Sequence, residues 1–543
     1  MKIYNVILCL LFLLTSPKAF PQTDKASGYL TAMKFYDNKD YPNAAKTFDA
    51  IYNLNLSTKK LYDGACIYAM NNEKQKAFAM LYFLANKKYY ANYDHISKDT
   101  DLTGMHSDPK WTPLLEKVKL NNSASPQRKL ETIYTELNKA KHILGKDAGK
   151  LWGYPIWNDN IFVLDYDNTI YAIKAFPGSK TDNGKLFYAN VPANTFVFVN
   201  TIQSYQDIDH AVILSNYLAD HSITIIHELF HLLQLKNLKL NGNAIQYLDN
   251  YDARELLRLE YQALRNTLSA IVNKKPKAKI VSFFEDALLF RKLRQSKYRE
   301  FLQNELEIET LEGMANYTGF KLSTSPNKYE SAIEEIYQRE NAQTYTRPFP
   351  YATGVAYGLI FDYLNIHWKT GLKKIYNFLA IYESNKVIDT NDQAILTAKA
   401  RNNFEQIHQQ EEARRNKNEG LLTYYRDLLQ VKPTLKVEID DNYGRTFNMN
   451  GTIEIPEGGT VYSSIKGRDK SGKNFGNFTT IEDKAYLGNA GVLMMNNSKT
   501  LVFPTPFKIE GHKIIGETYQ IELNEGWDIE KTDAPGNYVI RKK

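Results

Sequence analysis

Two histidines and a glutamate in the run Ile225-Ile226-His227-Glu228-Leu229-Phe230-His231-Leu232-Leu233-Gln234 carry the chemistry this sequence offers. His227 and His231 stand four residues apart, so on a helix their imidazoles lie one above the other on one face and can point at a single tetrahedral Zn²⁺. Glu228 sits beside them. Its carboxylate can take the proton of an attacking water, which makes hydrolysis of an amide feasible near neutral pH. The bland alternative is a pair of histidines on an amphipathic helix. Ile223, Ile226, Phe230 and Leu233 do supply an apolar face, and that face would also bury the helix and fix the ring positions.

Such a helix needs a scaffold behind it. A strand-like run from His210 to Ser215 precedes it, and further strands are expected at Leu151–Ile156, Asn160–Asp165, Thr169–Lys174 and Thr195–Val199, where aromatic and β-branched residues alternate with Gly, Pro, Asn and Asp breaks. Together they would form the sheet that backs the histidine helix. From Asp249 to Thr318 the pattern turns helical, strongest at Glu255–Leu264, Phe284–Phe290 and Leu306–Tyr317.

The run Glu309-Thr310-Leu311-Glu312-Gly313-Met314-Ala315-Asn316-Tyr317 adds a second constellation. Here the sequence resembles the gluzincins, the zincin group that includes thermolysin and the aminopeptidase N family, in which a glutamate on a later helix, commonly within Glu-Gly-x-Ala-x-Tyr, is the third zinc ligand. The resemblance implies Zn²⁺ held by His227, His231 and Glu312, with Glu228 as general base. It implies too that the strand ahead of the histidine helix is an edge strand that aligns an extended substrate. Gly313 and Ala315 would let the ligand helix approach the histidine helix closely. Eighty residues separate His231 from Glu312, more than in those relatives, so a helical insertion is implied. A third match is Tyr351-Ala352-Thr353-Gly354. In the aminopeptidase N family a Tyr-x-x-Gly opens a helix, and its phenol hydrogen-bonds the tetrahedral oxyanion, which makes Tyr351 the candidate oxyanion donor. The Gly-x-Met-Glu-Asn element that grips a substrate amino terminus in those relatives is absent. Glu260 is the rival for third ligand, with a buried pairing to an arginine as its other role. Glu305 and Glu309 share helical spacing with Glu312 and read as solvated residues or as partners of the histidines. Arg254, Arg258, Arg291 and Arg294 read as structural.

The rest of the chain bounds this reading. Its 543 residues, 43% of them hydrophobic, suffice for several buried cores. The excess of 68 basic over 61 acidic residues is mild and not concentrated in blocks, so nucleic acid binding is not indicated. Residues 1–21 read as a secretory signal peptide, with Lys2 followed by the apolar run Val6–Leu14 and cleavage near Ala19 to Gln22. That run is too short to span a bilayer, and no transmembrane segment would remain after cleavage. Of the two cysteines only Cys66 would then persist, so no internal disulfide can form. Both features favour a bacterial envelope or secreted protein.

Residues 26–120 show two helical units at a spacing of 33, Ala44, Phe48 and Ile51 aligning with Ala77, Leu81 and Leu84. This is a tetratricopeptide-like pattern, either a module for a protein partner or a plain packing domain. A polar linker, Asn121–Pro126, leads to the metallopeptidase-like domain at 127–430, whose end, Gln393–Leu429, reads as a charged surface helix. Short alternating runs from 433 to 543 read as an all-β, sandwich-like domain. The fold class expected is multidomain: an α-helical repeat module, an α+β zincin-like domain and a C-terminal β domain. The function expected is zinc-dependent hydrolysis of peptide bonds in a peptide or protein substrate, more internal than amino-terminal. The alternative is a non-catalytic envelope assembly or binding protein with a structural or degenerate zinc site. Retention of Glu228 favours catalysis, because a structural site closes its fourth position with another side chain.

Overall fold

The structure is a computed structural model that describes residues 25–543 apart from 53–55, 124, 182–183, 193–194, 216–221, 241, 324–326, 343, 370, 448–451, 457, 470–471, 482–483, 485–487 and 490. The leader expected at 1–21 lies outside the described residues. The chain is multidomain, helical through its N-terminal and middle regions and β-rich toward the C-terminus. It divides into two compact units. One comprises the residues up to Ile245 with Glu260–Asn341 and Thr346–Asn402, the other Gln246–Leu259, Ala342–Tyr345 and Asn403–Lys543. No helix among the described residues is long and apolar enough to cross a membrane.

In the first unit the chain opens with paired helices, Lys25–Asp37 against Tyr41–Ile51 and Thr58–Met70 against Lys74–Lys87. The residues of the 33-residue repeat, Ala44, Phe48, Ile51, Ala77, Leu81 and Leu84, are all buried in one core. Gly64 lets Phe48 press against its helix backbone, since a Cβ there would lie 2.3 Å from the Phe48 ring. Asp40 and Ser57 cap the second and third helices by accepting the N–H of Asn43 and Lys60.

A six-stranded sheet follows: β1 (Ile161–Leu164), β2 (Thr169–Ala172), β3 (Lys180–Thr181), β4 (Phe187–Asn190), β5 (Thr201–Tyr205) and β6 (Ile208–Leu214), in spatial order β3-β4-β2-β1-β6-β5. Only β1 and β6 run parallel. The strand immediately ahead of the histidine helix, β6, is therefore interior, and β5 is the edge. Two expected strands are not strands. Leu151–Ile156 is broken by positive φ at Gly149 and Gly153 and by Pro155, and it instead drives Trp152 into the core. Thr195–Val199 is irregular because the side chain of Gln203 satisfies the backbone of Val197, accepting its N–H at 2.8 Å and donating to its carbonyl at 2.9 Å, in place of a strand partner.

The second unit holds a seven-stranded mixed sheet and a six-stranded antiparallel one. In the former, Thr434–Glu438 runs antiparallel to Thr500–Pro504 and parallel to Tyr538–Lys542. Leu435, Val437, Leu501 and Phe503 from this sheet share one core with Ile465, Phe478, Ile514 and Ile521 from the other. Alternate residues Leu493 and Val502 point to the opposite face, where Leu421, Tyr425 and Leu429 cover them. The helix Phe404–Arg426, expected to lie on the surface, thus packs one side on the sheet, and its Glu411 is buried against Arg254 and Arg258.

Candidate functional site

The helix Ser222–Asn237 is buried nearly all round, with Ile225, Ile226, Leu229, Phe230 and Leu232 packed and His227, Glu228 and His231 buried among them. Four-residue spacing brings the imidazoles together, His231 Nε2 lying 3.0 Å from His227 Nε2. An oxygen of Glu312 completes a triangle, 3.4 Å from His227 Nε2 and 3.5 Å from His231 Nε2. Donors about 2.0–2.1 Å from one tetrahedral centre stand about 3.3–3.4 Å apart. The three edges of this triangle fall around that length, so the donor set fits a single small cation. Oε2 of Glu228 is buried with no hydrogen-bond partner among the described residues, an orphan that points to chemistry rather than structure.

Glu312 lies in a π turn, Glu309–Gly313, that interrupts an otherwise α-helical course from Leu302 to Leu322. The extra residue per turn rotates Glu312 away from the stripe it would share with Glu305 and Glu309 on a regular helix. Those two face elsewhere. Arg291 donates to both oxygens of Glu309 at 2.8 and 2.7 Å, and Glu305 pairs with Arg294 at 2.6 Å, all four side chains being fully buried. The expectation of solvated residues or histidine partners is thereby corrected. Glu260 joins the same network, accepting from Arg291, Arg294 and the hydroxyl of Tyr357. It is away from the histidines, and the four arginines singled out from the sequence each hold buried carboxylates.

Close backbone approach sets the positions of the helices, though not as expected for Gly313. A Cβ on Gly354 would lie 2.3 Å from Gly313 Cα, so this glycine pair brings the helix Phe349–Leu364, which carries Tyr351, against the Glu312 segment. Approach to the histidine helix falls to Gly319, where a Cβ would lie 2.7 Å from the carbonyl oxygen of Ile223. Trp152 wedges between the two, its ring 5.4 Å from Phe230 and 6.1 Å from Tyr317, and its indole N–H donates to Thr318 at 2.9 Å. Tyr317 is tied down by Asp362, which accepts from its hydroxyl at 2.7 Å and also pairs with Lys321 and Lys369.

Gln234 was not singled out, yet it joins both halves of the site. Its amide nitrogen donates to the carbonyls of Thr310 and Leu311 at 2.8 and 3.1 Å. The amide oxygen is left to accept from His231 Nδ1 at 2.8 Å, which puts the Nδ1 proton there and turns Nε2 toward His227 and Glu312. Its place three residues after His231 on the same helix was the available signal. Tyr351 stacks parallel to His227, with ring centroids 5.7 Å apart, and its hydroxyl reaches the Glu312 carboxylate. Arg339 also lies 4.6 Å from the Tyr351 ring centroid, held by Glu335.

The electrostatics are those of a pocket short of positive charge. Burial raises Glu312, but hydrogen bonds from His227 and His231 outweigh it and hold the carboxyl well below the usual glutamate range. Burial lowers His231, yet the hydrogen bond and charge of Glu312 lift it to about 9. Burial lifts Glu228 above the usual range, with the imidazoles opposing. Burial and the Glu312 carboxylate raise the Tyr351 hydroxyl, so it remains a donor. His227, Glu228 and Tyr351 open on a cleft of about 970 Å³ that is lined also by Phe198, Val199 and Phe320 and by the polar face of the helix Lys328–Glu340. No family model, curated protein or solved structure matches this chain.

Proposed function

We propose that this chain is an exported zinc-dependent peptidase of gluzincin type, with Zn²⁺ held by His227, His231 and Glu312. The observation that carries the reading is the 3.0, 3.4 and 3.5 Å triangle of donor atoms beside the orphaned Glu228 carboxylate. Two imidazoles and one carboxylate leave a fourth position open, the pattern of a catalytic rather than a structural site. The metal would supply Lewis acidity toward water and the scissile carbonyl.

The chain's own residues do the rest. Glu228 takes the proton of the attacking water and hands it to the leaving amine, and its burial makes it a stronger base than a solvated glutamate. The Tyr351 hydroxyl, whose proton is retained at neutral pH, donates to the carbonyl oxygen as negative charge develops there. Gln234 fixes the ring of His231 so that Nε2 faces inward. Cleavage within a chain is favoured over amino-terminal trimming because the Gly-x-Met-Glu-Asn element is absent. The rival reading, a non-catalytic binding protein with a degenerate site, leaves the buried orphan oxygen of Glu228 unexplained.

The test is hydrolysis of a peptide library by the purified protein with and without chelator, run beside Glu228→Gln. Hydrolysis that chelator abolishes is expected, and Glu228→Gln should keep zinc near the parent stoichiometry while activity falls by roughly 10²- to 10⁴-fold. Full activity in Glu228→Gln would remove it as the base, and a parent inert toward every peptide with zinc bound would favour the binding-protein reading.

A further inference from the structure

The N-terminal helical module has no part in the mechanism above, yet it reaches the cleft. Lys59, in the first turn of the helix Thr58–Met70, lines the same cleft as His227 and Glu228. The next residue, Lys60, pairs with Glu334 at 2.5 Å, with side-chain exposures of only 13% and 30%. Its ammonium also lies 5.1 Å from the ring centroid of Tyr29 on the helix Lys25–Asp37. That helix packs along Lys328–Glu340. One face of Lys328–Glu340 carries Ser331, Glu335, Gln338 and Arg339 at spacings of three and four residues, all lining the cleft. The module therefore backs one wall and extends it with Lys59.

Phe198 and Val199, which also line the cleft, belong to an apolar segment open to solvent. Val197, Phe198 and Val199 are 69%, 40% and 45% exposed, and Tyr166 stacks on Phe198 with centroids 5.6 Å apart and planes 9° from parallel. The Gln203 side chain pins this segment through the backbone of Val197. An exposed apolar surface held in place and continuous with a reactive cleft is a surface for a ligand side chain. At about 970 Å³ the cleft stands near the upper end of the range usual for enclosed ligand sites, about 300–1,000 Å³.

We propose that the helical module is a wall of the substrate cleft, and that the cleft so enclosed takes a flexible oligopeptide with a bulky apolar side chain while excluding loops of folded proteins. This rests on the peptidase reading. The Lys60–Glu334 pair is the clamp that holds the wall, and the Phe198 surface receives the apolar side chain.

Charge reversal separates the possibilities. A ten-residue peptide with a central phenylalanine, and the same sequence grafted into a loop of a folded carrier, are compared for hydrolysis by the parent and for binding, by fluorescence anisotropy, to the zinc-loaded Glu228→Gln protein. The free peptide should be preferred at least tenfold in both. K60E and E334K should each reduce that preference and speed amide hydrogen exchange in 25–37 and 328–340, and the double reversal K60E/E334K should restore both. F198S in the Glu228→Gln background should weaken the phenylalanine peptide about tenfold or more and leave a glycine-centred peptide unchanged. Equal use of free and grafted sequences by the parent overturns the proposal, as does faster exchange in K60E with an unchanged preference. Selective binding without hydrolysis by the parent keeps the wall and removes the reaction; hydrolysis without discrimination does the reverse. Binding of neither form removes both.

Discussion

Glu312 and Glu260 are both buried glutamates on helices of the same unit, and what separates their uses is the charge of what surrounds each. Glu312 faces two imidazoles and a tyrosine hydroxyl, groups that leave room for a cation. Glu260 faces two guanidinium groups that already neutralise it. Glu312→Ala should therefore purify nearly free of zinc and inactive, with metal content read by mass spectrometry. Glu260→Ala should keep zinc in its folded fraction, while leaving Arg291 and Arg294 short of a buried partner lowers unfolding free energy by about 3–5 kcal/mol in a denaturant titration. Zinc retained by Glu312→Ala and lost by Glu260→Ala would reverse the assignment. Gln234→Leu removes the acceptor on His231 Nδ1 without touching the donors of the triangle, so zinc affinity should fall by roughly 10- to 100-fold.

At the scale of elements, the site depends on three helices held closer than ordinary side chains permit. Gly354→Ala places a methyl group against the backbone of Gly313, which has no side chain to move aside, so a loss of about 1–3 kcal/mol is expected from overpacking. Activity should fall further than stability explains, because the displaced helix carries Tyr351; an unchanged kcat in a stable Gly354→Ala protein would show that the crossing does not position the tyrosine. A second anchor is Asp362, which holds Tyr317 and two lysines. Burial raises its carboxyl, but Lys321, Lys369, Tyr317 and Trp368 outweigh it and leave it below the usual aspartate range. The folded-state value lies below the unfolded one, so its contribution is fully present above about pH 4 and is lost as pH falls through the depressed folded value. Asp362→Asn should consequently be less stable than the parent at pH 6 and lose less on acidification below pH 4, as followed by thermal melts.

For the whole molecule, the three residues proposed to hold zinc lie entirely within one of the two compact units. A ligand stabilises only the structure that folds to bind it, and zinc at about 1,000 times its dissociation constant adds about 4 kcal/mol. Calorimetry should resolve two transitions, with chelator lowering one and leaving the β-rich unit's transition in place. A single transition that moves as a whole on chelation would show that the units melt together. Among the described residues the one cysteine, Cys66, is buried and forms no disulfide, so reducing agent should shift neither transition.

Residue types and short spacings were enough, from the sequence, to locate the helix of His227, Glu228 and His231, the strands at 160–165, 169–174 and 210–215, and the alternating β pattern after Lys432, because each is a local periodicity of one helix face or one strand. The resemblance to the gluzincins singled out Glu312 and Tyr351, which the fold brings beside the histidines across 80 and 119 residues from His231. What those spacings could not contain is anything set by contact between distant segments. The π turn that parts Glu312 from Glu305 and Glu309 looks like ordinary helix in sequence. Trp152 reads as a strand residue until two glycines with positive φ and a proline turn it inward. Gln234 becomes a bridge only once Thr310 and Leu311 lie within hydrogen-bond reach. Gly313 meets Gly354 rather than the histidine helix because the approach of two backbones is decided by where the whole helices pack, and that packing belongs to the tertiary structure alone.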